Sequence, residues 1–260
     1  HSDDAWRASL NLTHSDGWQH AAGYDRRAGT LRWDRALADD AMLKTVVSYS
    51  NVDQQHVGNL NDAEFRAAPR TNNIPFSFRE VDAFRLSSAF ERETDTTLLS
   101  VTPYFRDNSM RIIPSWTVSY DPNEYLTENQ SFGFLSKYRM DFAPLRARLI
   151  VGLDVDYSPG SRDEDSIALT RTTNALGGTA YSLNRAVAPV QIYRYDVTFR
   201  GISPYLHGEI SPLERLRVTA GLRYDDMQYD YTNTFNGGAA GATQGVAGPF
   251  PGNGWYGHVA

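Results

Sequence analysis

Ala147-Arg148-Leu149-Ile150-Val151-Gly152-Leu153-Asp154-Val155-Asp156-Tyr157 is the stretch on which the fold turns. Ala147, Leu149, Val151, Leu153, Val155 and Tyr157 occupy every second position, with Arg148, Asp154 and Asp156 between them. Side chains alternate across a β-strand, so this segment puts an apolar row on one face and charge on the other. The same period recurs upstream. Trp6, Ala8, Leu10 and Leu12 oppose Arg7, Ser9, Asn11 and Thr13; Leu31 and Trp33 oppose Arg32 and Asp34; Leu43, Val47 and Tyr49 oppose Lys44 and Ser48. Phe84, Leu86 and Phe90 oppose Arg85, Ser87 and Glu91, and Leu99, Val101 and Phe105 oppose Ser100, Thr102 and Arg106. Phe132, Phe134, Tyr138 and Met140 oppose Lys137, Arg139 and Asp141. Downstream, Tyr205 to Ile210 leads through Ser211-Pro212-Leu213-Glu214-Arg215 into Leu216, Val218, Leu222 and Tyr224, which oppose Arg217, Thr219, Arg223 and Asp225. Trp255 and Tyr256 open one more candidate. No window sustains helical spacing, so the chain reads as all-β, with about nine or ten antiparallel strands.

The connections alternate in length. Leu37 to Asp40, Arg92 to Asp95, Phe142 to Leu145 and Ser211 to Arg215 are tight, whereas His14–Arg26, Val52–Arg79, Asp107–Asn129, Ser158–Ile192 and Asp226–Gly254 are long and rich in turn residues. Unlike ends of this kind are the mark of transmembrane barrels, with short periplasmic turns and long extracellular loops. Compact soluble domains rarely carry structureless loops beyond about 12–15 residues.

Aromatic side chains sharpen the reading. Trp6, Trp33, Tyr49, Phe105, Tyr138, Tyr157 and Tyr224 lie on the apolar face near strand ends, where headgroup girdles place them. The opposite face carries Arg7, Arg32, Arg85, Arg148, Asp154, Asp156, Arg217, Arg223 and Asp225. A wide wet lumen tolerates both signs of charge and a dry core does not, so these residues are expected to form a lumen-facing lattice of ion pairs.

Composition excludes several functions. The 260 residues contain no cysteine, which removes disulfides, thiolate metal sites and thiol nucleophiles, and six histidines lie without metal-site spacing. A net charge of −6 disfavours nucleic acid as a partner. Lys44 and Lys137 are the only lysines, arginine being the cation for confined pairing. Phosphate loops, nucleophile elbows and dinucleotide fingerprints are absent, so no catalytic residue, metal ligand or cofactor is expected. Asp163-Glu164-Asp165 reads as a solvated acidic run, and the sequon Asn11-Leu12-Thr13 as a chance match inside a strand.

Ala5-Trp6-Arg7-Ala8-Ser9-Leu10-Asn11-Leu12-Thr13-His14-Ser15-Asp16-Gly17-Trp18 resembles the early barrel of TonB-dependent outer-membrane receptors. The stretch from Ile202 to Asp225, ending in Gly221-Leu222-Arg223-Tyr224-Asp225, is similar to a hairpin of the same family. The resemblance covers essentially residues 1–260 as barrel. It implies a plugged barrel of about 22 strands, of which this chain supplies under half, the plug and the closing strands lying outside it. It further implies a bacterial outer-membrane location, lipid as surroundings, energy delivered by the TonB complex through the plug, and import of a scarce nutrient, a ferric siderophore above all. A chain limited to these residues is expected not to transport by itself.

Ligand selection is expected in the long loops, at Trp18, His20, His56, Arg66, Arg70, Trp116, Tyr120, Tyr125 and Arg171, whose guanidinium groups suit anionic chelates. Two alternatives stand beside the transporter: a passive porin or small complete barrel, and a soluble all-β carbohydrate-binding domain using Asp154 and Asp156 as an acid pair. A soluble sheet needs a second sheet over its apolar face, whereas a barrel shows one continuous outward band.

Overall fold

The computed structural model describes residues 3–235 and the backbone of 254–259. Its strands are β1 (Asp4–Ser15), β2 (Tyr24–Ala38), β3 (Ala41–Gln55), β4 (Phe78–Glu93), β5 (Thr97–Ile113), β6 (Asn123–Phe142), β7 (Ala147–Ser166), β8 (Leu169–Thr173), β9 (Thr179–Leu183), β10 (Val190–Leu213), β11 (Leu216–Arg223), β12 (Asp226–Asn233) and β13 (Gly254–Val259). One antiparallel sheet runs β1-β2-β3-β4-β5-β6-β7-β10-β12-β13, with β11 also on β10. β11 and β12 pair with successive halves of the same side of β10 and amount to one strand interrupted at Tyr224-Asp225. β8 and β9 form a separate hairpin.

Register carries the apolar face from strand to strand. Phe142, Ala147, Ile210 and Val218 make one row, followed by Met140, Leu149, Gly208 and Ala220, then Tyr138, Val151, Leu206 and Leu222. The last row of the band joins Phe132 to Tyr157, ten residues along β7 from Ala147. At about 3.4 Å per residue and a tilt near 40°, that span is roughly 25 Å tall, the thickness of an outer-membrane apolar band. Nothing among the described residues packs on this face, and Trp6, Leu10 and Leu222 stay 65%, 73% and 74% exposed. The buried apolar residues, Ile74, Ile112, Ile113, Val118, Ile167 and Ile192, all sit at the long-loop end. A soluble sandwich would reverse that distribution. No helix among the described residues is long and apolar enough to cross a membrane; the crossing is made by strands.

The four tight connections fall where the sequence places them, at 39–40, 94–96, 143–146 and 214–215. The long ones are shorter than expected, because the strands outgrow the membrane band. β10 begins at Val190 rather than near Tyr205, β12 occupies a stretch read as loop, and a six-residue helix α1 (Asp62–Ala67) stands in the β3–β4 loop. Asp163-Glu164-Asp165 is likewise strand, not a solvated run. Glu164 is 5% exposed and accepts from Asn123 Nδ2 at 2.6 Å and Arg162 at 2.6 Å, while Arg194 pairs with Asp163 at 2.6 Å. The candidate strand at Trp255-Tyr256 is β13 in its backbone; its side chains lie outside the described residues.

Candidate ligand-binding wall

The concave face is built from the residues that alternate with the apolar band. At the tight-turn end its charges are paired. Arg148 and Arg139 both bind Asp141, at 2.6 and 3.0 Å, Arg139 also reaches Glu93 at 2.9 Å, and Lys44 pairs with Glu91 at 2.5 Å. Arg32 bonds Asp34 at 2.8 Å and faces Arg7 across β1–β2, and Arg217 lies 3.4 Å from Glu209. Midway, Arg223 binds Asp154 at 2.8 Å and Asp225 at 2.7 Å, spanning β10 over the Tyr205 ring. Asp156 accepts from Tyr104, Ser158 and Arg106, the last at 3.1 Å. Asp154 and Asp156 are each held by arginine, not facing one another as an acid pair. Arg85 sits opposite Arg106 and makes no ion pair among the described residues.

Two tyrosines lie flat on this wall because glycines make room. A Cβ on Gly133 would stand 2.5 Å from Tyr104 Oη, and one on Gly152 would stand 2.1 Å from Tyr205 Cζ. Tyr205 Oη donates to the Ser136 carbonyl at 3.1 Å. An aromatic ring over a bare glycine seals backbone that would otherwise face the lumen, a device that pins register in barrels.

Above the band the polarity of the two faces reverses on β10 and β12, while the inward rows of β6 and β7 stay largely polar. Along β10 the outward row Ile210, Leu206 and Ile202 gives way to Arg200, Thr198, Asp196 and Arg194. The inward row changes from Glu209, His207, Tyr205 and Ser203 to Phe199, Val197 and Tyr195. β12 continues the pattern, with Met227, Tyr229 and Tyr231 inward and Asp226, Gln228 and Asp230 outward, since Met227 pairs with Gly201 and Tyr229 with Phe199. The Phe199 and Tyr229 rings lie 5.1 Å apart, and those of Tyr195 and Tyr231 5.4 Å. A cavity of about 390 Å³ opens at the foot of this aromatic strip, lined by Phe199, Met227, Tyr104, Arg106, Asp156 and Ser158 among others. Arg106 Nε and Arg79 Nε are buried there and on the neighbouring wall without an acceptor among the described residues. Apolar rings aimed into water on the concave side, with the outer face polar, are what a site for a bulky ligand requires.

The structure disperses the residues expected to select ligand. Arg70 ties the β1–β2 loop down, its Nε donating to the Trp18 carbonyl at 3.0 Å and its carbonyl accepting from His20 N–H at 2.9 Å. His56 lies 6.5 Å from the exposed Trp116 ring, and burial, with Arg79 nearby, lowers its pKa. Arg66 sits on α1, 3.9 Å from Asp62, Tyr120 is 73% exposed in the β5–β6 loop, and Arg171 stands on β8. Tyr125 is not a loop residue: it lies on β6 beneath the Arg162 guanidinium, 4.0 Å from its ring centre. The sequence reading missed Tyr195, Phe199, Met227, Tyr229 and Tyr231. Their period-2 spacing is visible in Tyr193-Arg194-Tyr195-Asp196-Val197-Thr198-Phe199 and in Met227-Gln228-Tyr229-Asp230-Tyr231.

A family model described as TonB dependent receptor-like, beta-barrel matches residues 2–259. No curated protein matches the sequence. Among solved structures, the unliganded ferric citrate transporter FecA aligns with a TM-score of 0.72 at 12% identity, covering 91% of this chain and 34% of that one. The siderophore receptor PiuA from Acinetobacter baumannii aligns at 0.64 and 13%, covering 92% and 40%. The closed form of the ferric-catecholate import receptor Fiu from E. coli K12 aligns at 0.65 and 8%, covering 91% and 39%. The likeness is one of fold, and the chain spans between 34% and 40% of the length of these proteins.

Proposed function

The chain belongs to the TonB-dependent receptors, as part of their β-barrel, and we propose that it lines the path of a small ferric chelate taken up across the outer membrane. Barrels of this family reside in the bacterial outer membrane, so the exposed band meets lipid and the long loops face outward. The whole receptor would draw energy from the TonB complex through its plug, with no nucleic acid involved. Members of the family are transporters and receptors. The ion-paired lower wall suits a barrel that must hold its shape around a filling.

One observation carries the ligand reading: on β10 and β12 the concave face turns aromatic where the outer face leaves lipid. Strands that merely extended beyond the membrane would have no reason to aim Tyr195, Phe199, Tyr229 and Tyr231 inward into water. The arginines beside them are partly neutralised, Arg106 by Asp156 and Arg162 by Glu164. The wall therefore favours chelates with flat or apolar surfaces over small polyanions. The loop residues Trp18, His20, His56, Trp116 and Tyr120 would serve entry rather than retention.

The test uses the whole receptor in liposomes, titrated with ferric complexes of a tricatecholate, of a trihydroxamate and of citrate. Phe199→Ala combined with Tyr229→Ala is expected to weaken binding of the preferred chelate about tenfold, since each lost ring contact is worth about 0.5–1.5 kcal/mol. Unchanged affinity for all three complexes, together with unchanged iron uptake by cells, would sink the assignment of this wall.

A further inference from the structure

The segment 167–189, between β7 and β10, does not return directly to its neighbour. Its hairpin of β8 and β9 reaches the β3–β4 loop, although β4, β5 and β6 stand between β3 and β7 in the sheet. That crossing covers about four strand spacings, roughly 19 Å. At its far end lies Glu64, in the first turn of α1 and 1% exposed. Glu64 Oε2 accepts from the Asn61 N–H at 2.8 Å, and Oε1 accepts from Asn73 Nδ2 at 2.8 Å and from Asn174 Nδ2, on the hairpin, at 2.5 Å. Asn61 Nδ2 donates to the Leu176 carbonyl at 3.2 Å and Tyr181 N–H to the Asn73 carbonyl at 2.8 Å. Gly178 lies so close that a Cβ there would stand 1.7 Å from Glu64 Oε1.

Among the described residues, every donor to this carboxylate is a neutral amide and no ion pair holds it. A buried charge satisfied only by hydrogen bonds is stable while all of them are made and costly when one is lost. Once exposed, the carboxylate and the amides regain equivalent bonds from water. Such a contact behaves as a fastening with two states, unlike an apolar plug, which would resist separation at every stage. We propose that Glu64 is the catch of a releasable strap, the β8–β9 hairpin being fastened across the extracellular end of the sheet onto the β3–β4 loop and let go as a unit to admit ligand. The fastening stands on the contacts alone, whereas admission of ligand rests on the proposed function.

The experiment uses the whole receptor in liposomes with spin labels on Phe65→Cys, on the exposed side of α1, and Thr172→Cys, on β8; the chain itself contains no cysteine. The unaltered catch is expected to give one short distance. Glu64→Ala is expected to add a longer, broad population, a shift of about tenfold or more in the open-to-fastened ratio. Gly178→Ala, which touches no barrel strand, is expected to do the same and carries the test if Glu64→Ala fails to assemble. Glu64→Gln, keeping shape without charge, should fall between. A distance distribution identical in all variants overturns the catch. Association with the ferric chelates is expected to be faster in the released variants; released distances with an unchanged association rate overturn the gating role. If no ferric chelate binds any form, the ligand reading has failed, and the distances still decide the catch.

Discussion

Leu153→Arg is expected to cost the folded barrel about 2–4 kcal/mol, while Leu135→Arg is expected to cost less than about 1 kcal/mol. The two leucines sit on adjacent strands at nearly the same height. Leu153 pairs with Ser136 and Pro204 in the middle of the outward apolar band, and Leu135 pairs with Thr102 and Asp154 on the concave face. An arginine at Leu153 would place its guanidinium in hydrocarbon, several residues from either interface, with no acid on its own face to meet it. At Leu135, already 49% exposed, the same group would enter a lumen where Asp154 and Glu91 line the nearby cavity. Urea titration of the whole receptor in liposomes, read by heat-modifiable mobility, measures both. Equal costs, or a larger cost at Leu135, would mean that the inner and outer faces have been exchanged.

That contrast depends on the part of the fold that local sequence encodes best. Period-2 alternation from Ala147 to Tyr157 requires only that each residue know its neighbours, and tight turns at Asp39-Asp40 or around Pro144 carry their own chemistry. What local reading could not resolve is where the membrane ends, because β10 and β12 keep alternating while the meaning of the two faces inverts. Asp230 outside, with Tyr229 inside, reads as turn-rich loop when apolar is assumed to mean outward, and Phe199 and Arg200 fall short of the strand expected near Tyr205. Tyr125 and the acidic run at Asp163–Asp165 read as loop for the same reason. The strap lay further out of reach. Its catch joins Glu64 to Asn174 across 110 positions of sequence, and α1, which opens on the capping box Asn61-Asp62-Ala63-Glu64, is too short at 6 residues to show helical periodicity. Glycines hide their purpose altogether, since the residue that needs the space lies on another strand.

Those glycines supply the second large effect, and its sign depends on which face each one serves. Gly152→Ala is expected to destabilise the barrel by about 1–3 kcal/mol, as overpacking of a fitted site does. The added methyl would occupy the place of the Tyr205 ring, which must then leave the wall and give up its bond to the Ser136 carbonyl. Gly208, on β10 and facing outward, has open space instead: a Cβ there would meet no atom within 4 Å. Neither glycine adopts a left-handed backbone, so Gly208→Ala only restricts the unfolded chain and is expected to stabilise by about 0.4–1 kcal/mol. A cycle with Tyr205→Ala isolates the cause, because removing the ring should abolish most of the cost of Gly152→Ala, leaving a coupling of about 1 kcal/mol or more. Additive costs would show that the space above Gly152 is kept for some other reason than the tyrosine, and the account of how β7, β10 and β11 hold their register would have to rest on the Arg223 bridge to Asp154 and Asp225 instead.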